Sequence, residues 1–241
     1  MKHIFILAAI LVLALASVSW GVVQGSKHDL SDSHPTAGVI NTESGNGTDE
    51  ICVFCHTPHN SGTAAPLWNR TLPANGGYTP YTSSTMDATM TGTLNGMSLA
   101  CLSCHDGTVA LDALTNFPNY VGGEMADADM VFTGADVNAA TEALNAGNAY
   151  FSTDLSNDHP ISIRYDDAGG VAGEMFASNG TNLVNTSGIY NDMQLFDDGA
   201  GNWCVECASC HDVHNNAGAT VPAFLVHTNT QSRLCRSCHN K

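Results

Sequence analysis

Apolar residues in this chain rarely recur at the spacing of a long amphipathic helix or an alternating strand. They occur in short runs, such as Ile161-Ser-Ile-Arg164 and Met193-Gln-Leu-Phe196, between turn-forming Gly, Asn and Asp residues. This pattern predicts short helices, few short strands and long irregular connections. One segment has the features of a helix, because Asp136 suits the N-cap, alanines follow at helical spacing and Gly147 suits the end. We therefore expect a helix over 136–146.

The N-terminal apolar run differs from the others. Lys2-His3 precedes the apolar stretch 4–15, and Ala14-Leu15-Ala16 has the form of a cleavage site. The pattern predicts a secretory signal over residues 1–16, with cleavage as late as residue 21 as an alternative. The run is short for a membrane span, and no later stretch qualifies. We expect an exported chain without a transmembrane anchor, extracellular or at the cell surface, or alternatively periplasmic.

Four pentapeptides share the pattern Cys-x-x-Cys-His, and we number them first to fourth along the chain. Their thiols are Cys52 and Cys55, Cys101 and Cys104, Cys207 and Cys210, Cys235 and Cys238, and their histidines are His56, His105, His211 and His239. With 11 His in 241 residues, a His follows a given Cys-x-x-Cys by chance about one time in twenty. The pattern is the attachment signature of c-type haem, in which the His is the proximal iron ligand.

Two other uses of paired cysteines are weaker explanations. A four-cysteine zinc site or a disulfide framework would leave each following His without a role. We therefore expect four covalently attached haem c groups. Large apolar cofactors would also replace the side-chain core that this composition lacks. The predicted fold is mostly irregular and loop-rich, with short α-helices and few short strands, organised around four covalently bound haems as in multihaem cytochromes c.

The motifs divide the chain into three parts. We expect an N-terminal two-haem module over 17–116, a loop-rich insertion over 117–202 and a C-terminal two-haem module over 203–241. A second His stands three residues after the first in the first and third motifs, at His59 and His214. Each half thus begins with a motif of this kind and ends with a plain one, a weak internal repeat.

The remaining histidines are candidates for the sixth iron ligand. His28, His59, His159 and His214 are the main distal candidates, and His34 and His227 are in reserve. His59 and His214 are too close to their own proximal His to bind the same iron, so each should reach a neighbouring haem. Six candidates suffice for two histidines on every iron, which favours electron exchange over catalysis. Eight methionines are an alternative source of ligands.

The net charge limits the partners that this chain can bind. The net charge is −16 with seven Lys plus Arg, which argues against nucleic acid and anionic membranes. It suits solubility, a basic partner cytochrome or a cationic mineral or metal surface. Four of the few cations are candidates to pair with buried propionates: Arg70, Arg164, Arg233 and Arg236. Cys204 is left over, either buried and inert or available to another chain, and we favour burial.

The motifs carry a resemblance to a known family. Residues 52–60, 65–70, 101–108, 158–162 and 207–214 resemble exported multihaem cytochromes with doubled Cys-x-x-Cys-His modules. The number of motifs and the segment around His28 are similar to those of the OmcE-type tetrahaem cytochromes, whose subunits polymerise into extracellular filaments. The resemblance implies bis-histidine haems in a continuous row, with one iron ligated by a His of the adjacent subunit.

The position of the fourth motif is a further reason to expect a filament. The fourth motif stands two residues before the end of the given sequence, so we expect a neighbour's N-terminal segment, through His28 or His34, to cover that haem. Such a head-to-tail contact between copies of the chain builds a filament. The preferred function is electron transfer by a filament subunit to external acceptors. The alternatives are a monomeric periplasmic shuttle, a nitrite or hydroxylamine reductase, and a subunit of a larger respiratory complex.

Overall fold

The chain is described by a computed structural model over most of its length. The described residues are 23–34, 41–42, 48–62, 65–117, 119–120, 123–124, 130–165, 175–178, 183–184, 193–214 and 224–240. The signal predicted over residues 1–16 lies outside them, as do its later cleavage positions. The prediction of a signal therefore stays a prediction.

Irregular backbone dominates the described residues, as the apolar pattern indicates. The α-helices are α1 (Gly96–His105), α2 (Cys207–Cys210) and α3 (Cys235–Cys238), and 3-10 turns cover Ile51–Phe54, Asn75–Gly77 and Thr230–Ser232. The strands are β1 (Asn41–Thr42), β2 (Asn119–Tyr120), β3 (Gly123–Glu124), β4 (Phe132–Thr133), β5 (Ile163–Arg164), β6 (Ala177–Ser178), β7 (Leu183–Val184), β8 (Phe196–Asp197) and β9 (Trp203–Val205). In the part of the chain that is described, no helix has the length and apolarity to cross a bilayer.

Short antiparallel pairings join distant parts of the chain. Strands β1 and β4 pair, as do β2 with β3 and β6 with β7, while β9 lies between β5 and β8 in a three-stranded sheet. In that sheet Ile163 lies opposite Val205, and Phe196 lies opposite Cys204. Because β9 leads directly into α2, the sheet attaches the middle of the chain to the third motif.

Two small hydrophobic clusters each include cysteines from two motifs. In the first cluster, Cys55 and Cys104 pack against a buried group around Phe54 and Leu111. In the second, Cys210 and Cys238 pack against Ile163, Tyr165, Met193, Leu195 and Val205. These two clusters bring the first motif near the second and the third near the fourth.

The helix predicted over 136–146 is wrong. The segment forms turns, with Val137 bridged to Leu144 and the Asn138 N–H donating to the Ala143 carbonyl at 2.9 Å. The Asn138 side chain accepts from Ala140 N–H at 2.9 Å, a local bond that competes with helix formation. The alanines favour a helix, but the polar Asn side chain and the Val137–Leu144 pairing favour the turn.

Candidate metal centres

The Cys-x-x-Cys-His motifs share one local backbone arrangement. The backbone N–H of the His donates to the carbonyl of the first Cys at 2.9 Å in the first motif, 3.0 Å in the third and 2.9 Å in the fourth, and the second motif lies inside α1. This is the i to i+4 bond of a helical turn, which brings positions i, i+3 and i+4 to one side. Two thiols and one imidazole therefore share a face in each motif.

The first motif is held by the segment that follows it. The His56 Nδ1–H donates to the Pro66 carbonyl at 2.8 Å, and the Trp68 ring lies edge-on to His56 with centroids 6.0 Å apart. Because a carbonyl oxygen only accepts, Nδ1 carries the proton and the lone pair is on Nε2. A His with this tautomer binds a metal through Nε2, with the carbonyl fixing its ring.

The second motif has the same tautomer from an unrelated segment. The His105 Nδ1–H donates to the Ala149 carbonyl at 2.7 Å, and the Phe151 N–H donates to the His105 carbonyl at 2.8 Å. The Asn95 side chain caps α1 by accepting from the Met97 N–H at 3.1 Å. Burial lowers the pKa of His105, with its hydrogen bond to Ala149 acting in the opposite direction. The neutral ring is the form that ligates metals.

The third and fourth motifs lie in one-turn helices. The third is hydrogen-bonded to a loop that follows it in the chain, and the fourth to a loop that precedes it. In α2 the Cys210 carbonyl accepts from Val226 N–H at 2.9 Å, and in α3 the Cys238 carbonyl accepts from Phe176 N–H at 3.1 Å. His211 pairs with Leu225 in a β-bridge, and His239 is exposed. The fourth motif is therefore near the surface of the single chain.

Contacts between the motifs join them in chain order. The first and second share a hydrophobic cluster through Cys55 and Cys104, as do the third and fourth through Cys210 and Cys238. The second motif lies against the third, because the Cys207 N–H donates to the Ser98 hydroxyl of α1 at 3.2 Å and the nearby Cys207 raises the pKa of Cys101. The end members are more open, since the exposed cysteines are Cys52 of the first motif and Cys235 of the fourth. The first and fourth motifs therefore each have a cysteine at the surface, and the contact between the His56 and His214 rings also brings the first motif near the third.

The cysteines do not form disulfides with one another. All nine lie in described parts of the chain and none forms a disulfide, so the disulfide framework is not found. Burial raises the pKa of Cys55 and of Cys238 to about 12 and that of Cys210 to about 11. Within the described ranges, no three His, Cys, Asp or Glu side chains are grouped so as to hold a bare metal ion.

His28 lies inside its own chain, against the histidines of the motifs. Its ring centroid is 6.0 Å from that of His105 and 4.6 Å from that of Phe224. Its Nδ1 is buried and has no hydrogen-bond partner. The pKa of His28 is lowered to about 4, chiefly by burial and then by the nearby imidazoles of His105, His211 and His214. The N-terminal segment therefore packs onto the motifs.

The other main distal candidates are exposed. His214 faces His56 with centroids 6.1 Å apart and planes 20° apart, and its Nδ1 lies 3.5 Å from an Asp212 carboxylate oxygen. His159 donates from Nδ1 to the Pro160 carbonyl at 3.0 Å. The His59 ring is exposed too. The structure thus brings His28 close to the motif histidine His105, and His214 close to the motif histidine His56.

The two reserve histidines have other surroundings. His34 Nε2 lies 3.0 Å from the Ser26 carbonyl, so this nitrogen carries the proton and its lone pair is on Nδ1. His34 Nε2 therefore bonds within its own segment and has no lone pair for a metal. His227 is half-buried in the loop that pairs with the third motif.

Arg70 is buried, but its bonds are not those that we expect for a propionate partner. Its guanidinium donates to the carbonyls of Leu111 at 2.5 Å, Ala110 at 2.7 Å and Ser103 at 3.3 Å, while Nε is buried without a partner. Arg70 thus ties the segment after the first motif to the second motif. The Arg164 guanidinium lies 3.9 Å from the Asp198 carboxylate. Arg233 and Arg236 are exposed.

A buried carboxylate that the sequence does not single out lies between the second and third motifs. Glu206 Oε2 accepts from the Ser98 hydroxyl and from the Ser162 hydroxyl, the latter at 3.0 Å, while Oε1 is buried without a partner. Glu206 and Ser209 also cap α2 reciprocally. Burial raises the pKa of Glu206 to about 7. A Glu preceding Cys-x-x-Cys is the only sequence signal for this role.

Cys204 is fully buried, as predicted for an inert thiol. Its exposure is 0% and it lies in the central strand β9. Burial raises its pKa to about 12, which leaves the thiol protonated and unreactive at neutral pH.

The surroundings of the first two motifs fit a large apolar group. The exposed large hydrophobic side chains among the described residues are Leu67, Tyr150 and Phe151. Leu67 follows Pro66, Tyr150 follows Ala149, and Phe151 itself donates its N–H to the His105 carbonyl. Buried polar atoms without partners occur there too, on Trp68 Nε1 and His28 Nδ1. Apolar surface and unpaired polar atoms are features of a site that another group completes.

Sequence reasoning missed the residues that orient the motifs. Pro66 and Ala149 act through backbone carbonyls, which carry no side-chain signal, and Ser98 lies one turn before the second motif.

No protein-family model matches this chain, and no curated protein matches it significantly.

Proposed function

We propose that this chain is an exported tetrahaem c-type cytochrome that transfers electrons. The observation that carries the proposal is one donor set repeated four times, two thiols and an imidazole on a single helical turn. In each motif the two thiols would form thioether bonds by adding S–H across a vinyl C=C bond, which consumes no oxidant. The motif His would bind the iron.

The bound haem supplies a centre that gains and loses one electron at a time. The chain's own residues orient and shield it. The Pro66 and Ala149 carbonyls hold His56 and His105 with Nε2 available, and Leu67 and Phe151 offer apolar surface beside them. Fixed ligands and apolar contacts favour rapid electron exchange, because little rearrangement accompanies it.

The contacts between motifs support a conducting row. Consecutive motifs touch through shared clusters or through the hydrogen bond from the Cys207 N–H to the Ser98 hydroxyl. The open ends, at Cys52 and Cys235, suit transfer to and from other proteins. Electrons would move along the row and leave at either end.

The finer form of the proposal is a subunit of an extracellular filament that passes respiratory electrons to external acceptors. The exposure of Cys235 and His239 in the single chain supports contact with a further copy. A monomeric periplasmic shuttle is the second candidate, favoured by the position of His28 within its own chain. Electron microscopy of the haem-loaded protein separates the two, because only a filament subunit forms uniform fibres.

A reductive titration of the purified holoprotein tests electron transfer itself. The proposal predicts uptake of four electrons per chain with full reversibility on reoxidation. A chain that takes up no electrons, or that turns over nitrite or hydroxylamine at the rate of a reductase, would contradict it.

A further inference from the structure

We infer that His28 and His214 are second axial ligands supplied within the chain, His28 to the iron bound by His105 and His214 to the iron bound by His56. The inference names the ligands of two centres in the proposed cytochrome and therefore rests on the proposed function. The other two irons are not part of it.

The separation of the rings is close to the span of one iron. An imidazole nitrogen binds a transition metal at about 2.0–2.1 Å and lies about 1.1 Å from its ring centre, so rings on opposite sides of one metal have centroids about 6.2–6.4 Å apart. The observed separations are 6.0 Å for His28 and His105 and 6.1 Å for His56 and His214. The interplanar angles, 63° and 20°, do not conflict, since rings rotate freely about a shared axis through the metal.

The hydrogen bonds distinguish these pairs from ordinary ring contacts. His56 and His105 each donate Nδ1–H to a carbonyl, which leaves the Nε2 lone pair of both for a metal. His28 is brought against His105 although its own Nδ1 is buried without a hydrogen bond. Such an arrangement costs stability unless the remaining nitrogen has a strong partner, and an iron shared with His105 is one.

The chain positions of the ligands suit this role. His28 precedes the first motif, and His214 lies three residues after the proximal His211, from which it cannot reach the same iron. His214 would instead join the third motif to the first. The position of His28 also differs from the expectation that a neighbour's His28 covers the fourth haem, because here it is engaged within its own chain.

Electron paramagnetic resonance of the oxidised holoprotein tests the inference, since it counts low-spin and high-spin irons. His28→Ala and His214→Ala should each convert one of the four irons to high spin, and added imidazole should restore the low-spin signal. Lys27→Ala, a change at the exposed neighbour of His28, should leave all irons unchanged. The same spectrum after His28→Ala would overturn the inference for His28.

Variants that lack one haem test which iron each His binds. In a Cys101→Ala/Cys104→Ala chain, which loses the second haem, His28→Ala should have no further effect, while His214→Ala should still produce one high-spin iron. In a Cys52→Ala/Cys55→Ala chain the two effects should be reversed. The opposite pattern would overturn the pairing.

A failure of the proposed function is separable from a failure of the inference. If the wild-type chain carries no covalent haem, the proposed function fails. If it carries four and His28 or His214 is not on the assigned iron, only the inference fails. Electron cryomicroscopy of the holoprotein shows the ligands directly and decides the matter even if a three-haem variant does not mature.

Discussion

The backbone N–H of Cys207 donates a hydrogen bond to the hydroxyl of Ser98 at 3.2 Å. Ser98 lies in α1 one turn before the second motif, and Cys207 begins the third. The same hydroxyl donates to the buried Glu206 carboxylate. One side chain thus holds two motifs at a fixed separation, a distance on which electron transfer between their cofactors would depend.

Removing that hydroxyl should destabilise the fold. Ser98→Ala leaves Glu206 with one fewer donor and the Cys207 N–H without its acceptor, and an unpaired buried polar group costs about 1–3 kcal/mol. Urea unfolding of the holoprotein should show this loss, whereas the exposed Ser84→Ala should change stability by less than about 0.5 kcal/mol. Equal stability of the two variants would mean that the Ser98 contacts contribute little.

The buried Glu206 should make stability fall as pH rises. Its pKa in the folded chain is about 7 against 4.5 for an ordinary Glu, chiefly because of burial. A raised carboxyl pKa means that the folded state binds the proton more tightly, so its contribution is present at pH 5 and lost by pH 8, by about 2 kcal/mol. Glu206→Gln should remove that part of the pH dependence in urea unfolding. An unchanged difference between pH 5 and pH 8 would contradict the assignment.

Two glycines with similar backbones should respond differently to alanine. Gly107 has φ +73°, and an added Cβ would lie 2.3 Å from the Leu144 carbonyl oxygen and 2.5 Å from the Tyr150 ring, whereas Gly92 has φ +81° in open space. Both variants incur the cost of a positive φ, but Gly107→Ala also displaces the segment that carries Ala149. We expect Gly107→Ala to be less stable than Gly92→Ala by about 1–3 kcal/mol. Thermal unfolding measures the difference, and equal melting temperatures would argue against close packing there.

Thiol titration should find Cys204 alone. If the eight motif cysteines are thioethers, the folded holoprotein should react with no equivalent of a thiol reagent, because Cys204 is fully buried, and with one after unfolding in guanidinium. Cys204→Ala should react with none in either state. More than one reactive thiol after unfolding would mean that some motif cysteines carry no haem.

Local patterns predicted the loop-rich backbone, the short runs that become β5 and β8, and the burial of Cys204. They failed at 136–146, where the turn around Asn138 outweighs the alanines. They also gave no signal for the carbonyls of Pro66 and Ala149, since any residue has a carbonyl and only the fold decides where it points. The placement of His28 against His105 depends on a long-range contact that no local pattern encodes.

Mass spectrometry of the denatured chain, produced in a host that assembles c-type cytochromes, decides whether four haems are covalently attached. Thioether bonds survive unfolding, whereas a zinc ion or a non-covalent ligand is lost. The proposed tetrahaem cytochrome should give a single species with the mass of the processed chain plus four haems, and a pyridine haemochrome spectrum of the c type. A chain that carries no covalent haem, or consistently fewer than four when matured in a host that assembles c-type cytochromes, would contradict it.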